Sequence, residues 1–137
     1  MTGRKGKDVQ PAEEAVLLVS RPLKFVSTSK EDISAMPKPV KASFGFRLRR
    51  IQQGSAVADA KAVSQFGSGV FELREAFDTN AYRVVYAIKL KKAVYVLHAF
   101  MKKSKSGIGL PKPDADLITA RLKRAIAMDK EDDNEKD

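Results

Sequence analysis

The chain has 137 residues, with 26 Lys and Arg against 17 Asp and Glu, a formal net charge of +9, and 43% hydrophobic residues. That length suits one domain with its own core. There is no cysteine and one histidine, His98, which excludes disulfides, thiolate metal sites and a multi-histidine zinc site. No apolar run approaches the ~20 residues of a membrane span, so the expectation is a cytoplasmic protein without metal or cofactor.

The charge is uneven. Residues 129–137 hold six acidic and two basic side chains, which leaves +13 on residues 1–128. A field of that size on a small domain draws polyanions and speeds their encounter.

Residues 1–10 are polar and basic, without periodicity, and 11–19 read as one or two helical turns with Pro11 near the first; 1–20 as a whole is expected to be a flexible extension. The stretch 22–27, PLKFVS, alternates as a first strand. Ser29 to Asp32 then opens a short helix, with Ser29 as cap and Asp32 as capping-box carboxylate. Pro37 and Pro39 stop it. Residues 40–53 read as a helix in which Val40, Phe44, Leu48 and Ile51 form one apolar stripe. Lys41, Arg47, Arg49 and Arg50 fall mostly off that stripe, either as a solvated face or as contacts to an RNA backbone away from the chemistry. Residues 55–68 are small and polar, and read as a loop with a turn of helix around 57–63.

Three runs rich in β-branched and aromatic residues follow, at 70–74, 82–88 and 93–100. Asp78-Thr79-Asn80 and Lys89-Leu90-Lys91-Lys92 separate them. Gaps this short favour antiparallel neighbours, because a parallel return needs a crossover of a dozen residues or more. Alternation puts Tyr82, Val84, Tyr86 and Ile88 on one face of the middle strand, and Arg83, Val85 and Ala87 on the other. A mid-strand guanidinium is costly to bury unpaired, so Arg83 either reaches solvent or has a partner, and its face is the candidate working surface. A basic loop at 102–113 carries Lys102, Lys103, Lys105 and Lys112 with two glycines and two prolines. Residues 114–128 form an amphipathic helix with Asp114 as N-cap, and 129–137 an acidic, disordered tail. The expected class is α+β, order β-α-α-β-β-β-α, within a domain spanning 21–128. Its sheet would be antiparallel, with the helices on one face.

The blocks GVFELRE, AYRVVYAIKL and VYVLHAFMKKSKSGI, the last followed by Pro111, resemble the RelE/ParE superfamily over roughly residues 21–127. The resemblance is closest to its HigB-like, phage-derived branch, whose members are toxins of type II toxin–antitoxin systems. It implies the compact RelE fold and a metal-independent mRNA endoribonuclease, a hydrolase acting on translated mRNA at the ribosome. It also implies a cognate antitoxin, a HigA-like helix-turn-helix protein through which DNA is contacted indirectly.

Attack of a ribose 2′-OH on the adjacent phosphorus needs a proton acceptor, a proton donor at the leaving oxygen, and cations on the phosphoryl oxygens. Arginine suits the last task through its planar, permanently charged fork. By the resemblance Arg83 matches the arginine of the family's YR strand and would clamp the phosphate. Lys102 and Lys103 match the basic pair after the last strand, as phosphate ligands or proton donor. Arg74 is a second cation, or a surface partner of Glu72 or Glu75. Lys105, Arg49 and Arg50 are candidates for backbone contacts. His98 is the acid/base candidate by its ordinary titration range; it also alternates with Val94, Val96 and Phe100, which reads equally as a hydrogen-bonded histidine facing the core. The C-terminal LKRAIAMDKEDD has no His or Tyr, which leaves the general base open. The alternatives are a ParE-like toxin that acts on DNA gyrase without cutting RNA, an inactive binding module on the same fold, and a general nucleic-acid binder. The 7% aromatic content argues against the last working by base stacking.

Overall fold

The computed structural model describes residues 20–55, 57–103 and 109–136. The elements are β1 (Leu23–Phe25), α1 (Ser29–Ser34), α2 (Lys38–Gln52), β2 (Lys61–Ala62), a 3-10 turn (Ser64–Phe66), β3 (Val70–Phe77), β4 (Asn80–Ala87), β5 (Val94–Lys103) and α3 (Lys112–Lys136). One five-stranded sheet runs in the order β1-β5-β4-β3-β2. The class is the expected α+β.

The meander forms as its gaps predict. β3 and β4 pair antiparallel from Val70↔Ala87 to Phe77↔Asn80, around Asp78 and Thr79. Both turn residues have positive φ, as a two-residue hairpin loop of matching twist requires. Two expectations are corrected at the edges. β1 lies parallel to β5, Leu23 beside Val94, because the helices and strands between them supply the long crossover that a parallel pair needs. The 55–68 loop contributes the short edge strand β2 against β3, and its turn of helix falls at 64–66 rather than at 57–63.

The helices cover both faces of the sheet, not one. On one side Val40, Phe44, Leu48 and Ile51 of α2, the predicted stripe, pack on Leu73, Tyr82, Val84, Tyr86, Val94 and Val96. On the other, Ile118 and Ala125 of α3 pack on Val70, Val85, Ala87, Tyr95 and Leu97. β5 is apolar on both faces, so both demand a cover. Arg47 leaves the stripe to bridge Asp59 at 2.7 Å and Glu75 at 2.8 Å, fastening α2 to β3. Burial, reinforced by the Asp59 carboxylate, pushes the Tyr86 hydroxyl up to about 12.

A β-bulge in β5 sets the geometry of everything downstream. Val85 pairs with His98 but Tyr86 pairs with Val96, so Leu97 is one residue too many. Val94 and Val96 face α2, and strict alternation would send His98, Phe100 and Lys102 there too. The extra residue places these three on the Arg83 side instead. Distant residues bind the carbonyls on either side of the bulge. Val96 O accepts from the Val26 amide at 3.0 Å and the Ser29 hydroxyl at 3.1 Å. Leu97 O accepts from the Arg121 guanidinium at 3.1 Å. Ser29 is therefore a buried tie to β5 and not a helix cap.

α3 continues past the expected boundary at residue 128, and Asp129, assigned to the acidic tail by sequence, is buried. Its carboxylate accepts from the Lys91 and Lys92 amides at 3.0 and 2.8 Å and from the Tyr95 hydroxyl at 3.0 Å. Burial alone would raise this carboxyl. The two amide bonds, the tyrosine and the Lys92 charge outweigh that and hold it below the usual carboxylate range. A depressed folded value means that the stabilisation is complete above the unfolded carboxylate range, about pH 4, and is lost as pH falls below it. Asp129→Asn is therefore expected to cost about 2 kcal/mol at pH 7. In urea unfolding the gap to wild type should narrow at pH 3. An equal gap at both pH values would remove this account.

Candidate functional site

β4 carries Arg83 opposite Arg74 of β3 and Phe100 of β5. Its side chain is buried, with one terminal nitrogen 3.1 Å from Glu72 Oε2. Arg74, half exposed, places Nε 3.1 Å from Glu72 Oε1. Glu72 is buried as well, so one carboxylate holds an arginine on each oxygen. The spacing explains it: Glu72 and Arg74 are two apart on a strand and share a face, which is also the face of Arg83. Arg83 Nε is buried without a hydrogen-bond partner among the described residues. An unsatisfied buried donor is uncommon, and working sites are one place where folds retain such a cost.

These side chains line a cleft of about 200 Å³. β2 and the 3-10 turn form one wall with Lys61, Val63 and Gln65, and Gly109 and Leu110 form another. Lys61, Arg74 and Arg83 supply three cations to Glu72's single negative charge. Lys102 is buried on the same face of the sheet, and its ammonium donates to the carbonyl of Gly109, the residue that lines the cleft. Among the described residues no group of histidine, cysteine or carboxylate side chains could hold a metal ion, and no helix is long and apolar enough to cross a membrane.

His98 joins this face through the bulge, but both ring nitrogens are engaged. Nε2 lies 2.7 Å from Asp114 Oδ1, and Nδ1 lies 3.2 Å from Arg121. Arginine can only donate, so Nδ1 accepts and Nε2–H donates to the carboxylate, which assigns the tautomer. The ring is 5% exposed and stacks on Phe100 at 4.8 Å. Asp114, expected as the helix cap, instead ties the first turn of α3 to β5. Arg121 also bonds Thr28 at 3.1 Å, joining α1 to the same network.

The structure thus gathers Arg83, Arg74 and Lys102 about one cleft, with His98 beside it in a buried relay. Arg49 and Arg50 lie on α2, across the sheet. The backbone of Lys103 pairs with Asn80; its side chain, Lys105 and residues 1–19 of the expected 1–20 extension lie outside the described residues. Sequence reasoning missed Glu72, Lys61 and Gln65 as site members. Glu72 was recoverable from its period-two spacing to Arg74; the other two depend on where the edge strand docks.

The model of the family described as Phage derived protein Gp49-like matches residues 31–123. The chain belongs to that family. The matched span of this Gp49-like protein runs from α1 into α3 and contains Glu72, Arg74, Arg83, His98 and Lys102. Membership agrees with the phage-derived branch that its strand motifs resemble. Among solved structures, an arginine-to-alanine double mutant of the E. coli toxin RelE in the free state is similar, at 15% identity and a TM-score of 0.49. The similarity covers 77% of this chain and 97% of that one. No curated protein matches the sequence.

Proposed function

We propose that this Gp49-like protein is the toxin of a type II toxin–antitoxin pair and cleaves mRNA without a metal. The observation that carries the reading is the buried Glu72 held by Arg74 and Arg83 in a cationic cleft: a proton acceptor placed beside the donors that a phosphate needs. Glu72 takes the proton of the ribose 2′-OH, and the freed oxygen attacks phosphorus. Arg83 and Arg74 bind the phosphoryl oxygens as charge builds in the transition state. The P–O5′ bond breaks, and Lys102, released from Gly109, gives its proton to the leaving oxygen. The products are a 2′,3′-cyclic phosphate and a 5′-hydroxyl. Lys103 is a further cation for the substrate backbone. His98, with both nitrogens occupied, holds α3 against the bulge. The ribosome would present the mRNA, and a HigA-like antitoxin would neutralise the basic surface.

The test is induction of wild type and Glu72→Gln at equal protein levels, with mRNA 5′ ends mapped within minutes. New 5′-hydroxyl ends inside coding regions, together with growth arrest, are expected for wild type and not for the variant. Arrest with intact mRNA and DNA-damage signalling would replace this reading with a gyrase poison. No arrest from a folded, soluble wild type would leave a binding module.

A further inference from the structure

The wall of the cleft formed by β2 and the 3-10 turn takes no part in the cleavage steps above. Lys61 stands opposite Glu72 in the β2–β3 register, so its side chain shares the cleft face. Gln65 lines the same cleft from the turn. Both side chains are exposed, and neither has a hydrogen-bond or ion-pair partner among the described residues. Gln65 is the one uncharged side chain with hydrogen-bonding atoms in the described lining. The turn that carries it is held at both ends. The Val63 amide donates to Val70 O at 2.9 Å and the Phe66 amide to Val63 O at 3.1 Å, while Phe66 packs against the core on the α3 side. Gly69, at φ +85°, runs so close to the β4–β5 connection that a Cβ there would stand 2.6 Å from Lys89 Cβ. Its carbonyl accepts from the Ile88 amide at 2.9 Å. The amide of Gln65 is therefore presented from an anchored base, as a discriminating contact requires.

Phosphate contacts carry no sequence information, which is read at base edges. Lys61, Arg74 and Arg83 can only donate and an ionised Glu72 can only accept, whereas the Gln65 amide does both. An amide by itself fits some edge of every base, so the cation on the same wall makes the choice. Guanine presents O6 and N7 to a lysine and N1–H to an amide oxygen; uracil presents O4 and N3–H. Adenine and cytosine would turn an exocyclic amino group toward the ammonium. We propose that Lys61 and Gln65 read the base beside the scissile phosphate and select a keto base, guanine ahead of uracil because it offers the lysine two acceptors. Val63 and Leu110, one on each wall, give the ring apolar contact. This rests on the reading of the cleft as the place where RNA is cut, which brings a nucleotide to that wall.

The experiment measures binding of short, fluorescein-labelled, 2′-O-methylated oligocytidine strands by anisotropy, with the central base left as cytosine or changed to guanine, uracil or adenine. The methyl group removes the nucleophile, and equal numbers of phosphates make the backbone contribution common to all four strands. The proteins are wild type, Lys61→Ala, Gln65→Ala and Gln65→Glu. Wild type is expected to bind the guanine strand about tenfold tighter than the adenine and cytosine strands, with uracil between. Gln65→Ala should bring the four strands within about twofold of one another, and Lys61→Ala should erase the advantage of guanine over adenine. Gln65→Glu should keep guanine and lose uracil. A carboxylate accepts from N1–H and the 2-amino group of guanine, but on uracil it meets one donor between two carbonyls. A merely structural role for Gln65 predicts no such split. Both side chains are exposed, so thermal melts should match wild type. Four strands bound alike by wild type, a preference for adenine or cytosine, no binding of any strand, or a guanine preference that survives both alanine changes overturns the proposal. A keto-base preference lost in the variants, beside intact mRNA in cells, would sink the cleavage reading and leave the base reader; cleaved mRNA with four strands bound alike does the reverse.

Discussion

Arg83→Ala is expected to reduce RNA cleavage about 10²–10³-fold while the protein stays folded, and Arg83→Lys to rescue little of the loss. The guanidinium does two jobs. It neutralises half of Glu72, and it presents planar donors to the cleft. Arg74 still holds Glu72 at 3.1 Å when Arg83 is removed, so the buried carboxylate is not stranded. Lysine restores charge but not the fork, and its more strongly hydrated ammonium is dearer to bury than a guanidinium. The measurement is the single-turnover rate of cyclic-phosphate formation on a translated message, beside a thermal melt of each protein. Wild-type-like cleavage by Arg83→Ala would move the phosphate clamp elsewhere, and full activity of Arg83→Lys would reduce the role of Arg83 to charge alone.

Much of this candidate site is legible in the sequence, and what is not has a physical cause. Period-two alternation places Arg83 away from Tyr82, Val84 and Tyr86, and the structure buries those three on the opposite face, against α2. The apolar stripe of α2 followed from helical spacing for the same reason: both depend only on local geometry. His98 shows where local reasoning stops. Its side of the sheet is fixed by one extra residue at Leu97, and the bulge that absorbs it is held by Arg121 and Ser29, 24 and 67 residues away along the chain, contacts that no strand pattern contains. The parallel placement of β1 and the burial of Asp129 are long-range too. A carboxylate in an acidic run reads as solvated until a turn such as 88–92 folds back to present two free amides to it.

Glu72 should show the largest stability effect in the site, and the asymmetry with Arg83 is the reason. Glu72 is the only counter-ion that the buried Arg83 has among the described residues, whereas Glu72 itself has two partners. Glu72→Ala therefore leaves a buried, uncompensated guanidinium and is expected to cost about 3 kcal/mol, clearly more than Arg83→Ala. Glu72→Gln keeps the shape and an acceptor oxygen, so it should cost less stability. It should nevertheless lose about 10²–10⁴-fold in cleavage, because an amide cannot take the 2′-OH proton. Added inorganic phosphate separates the two roles further. A bound anion replaces the missing carboxylate, so phosphate should raise the melting temperature of Glu72→Ala more than that of wild type. Thermal melts with and without phosphate, at constant ionic strength, read this directly. An Arg83→Ala loss equal to that of Glu72→Ala, with no extra phosphate response in the latter, would mean that the ion pair is structural bracing and the cleft has no anion to hold.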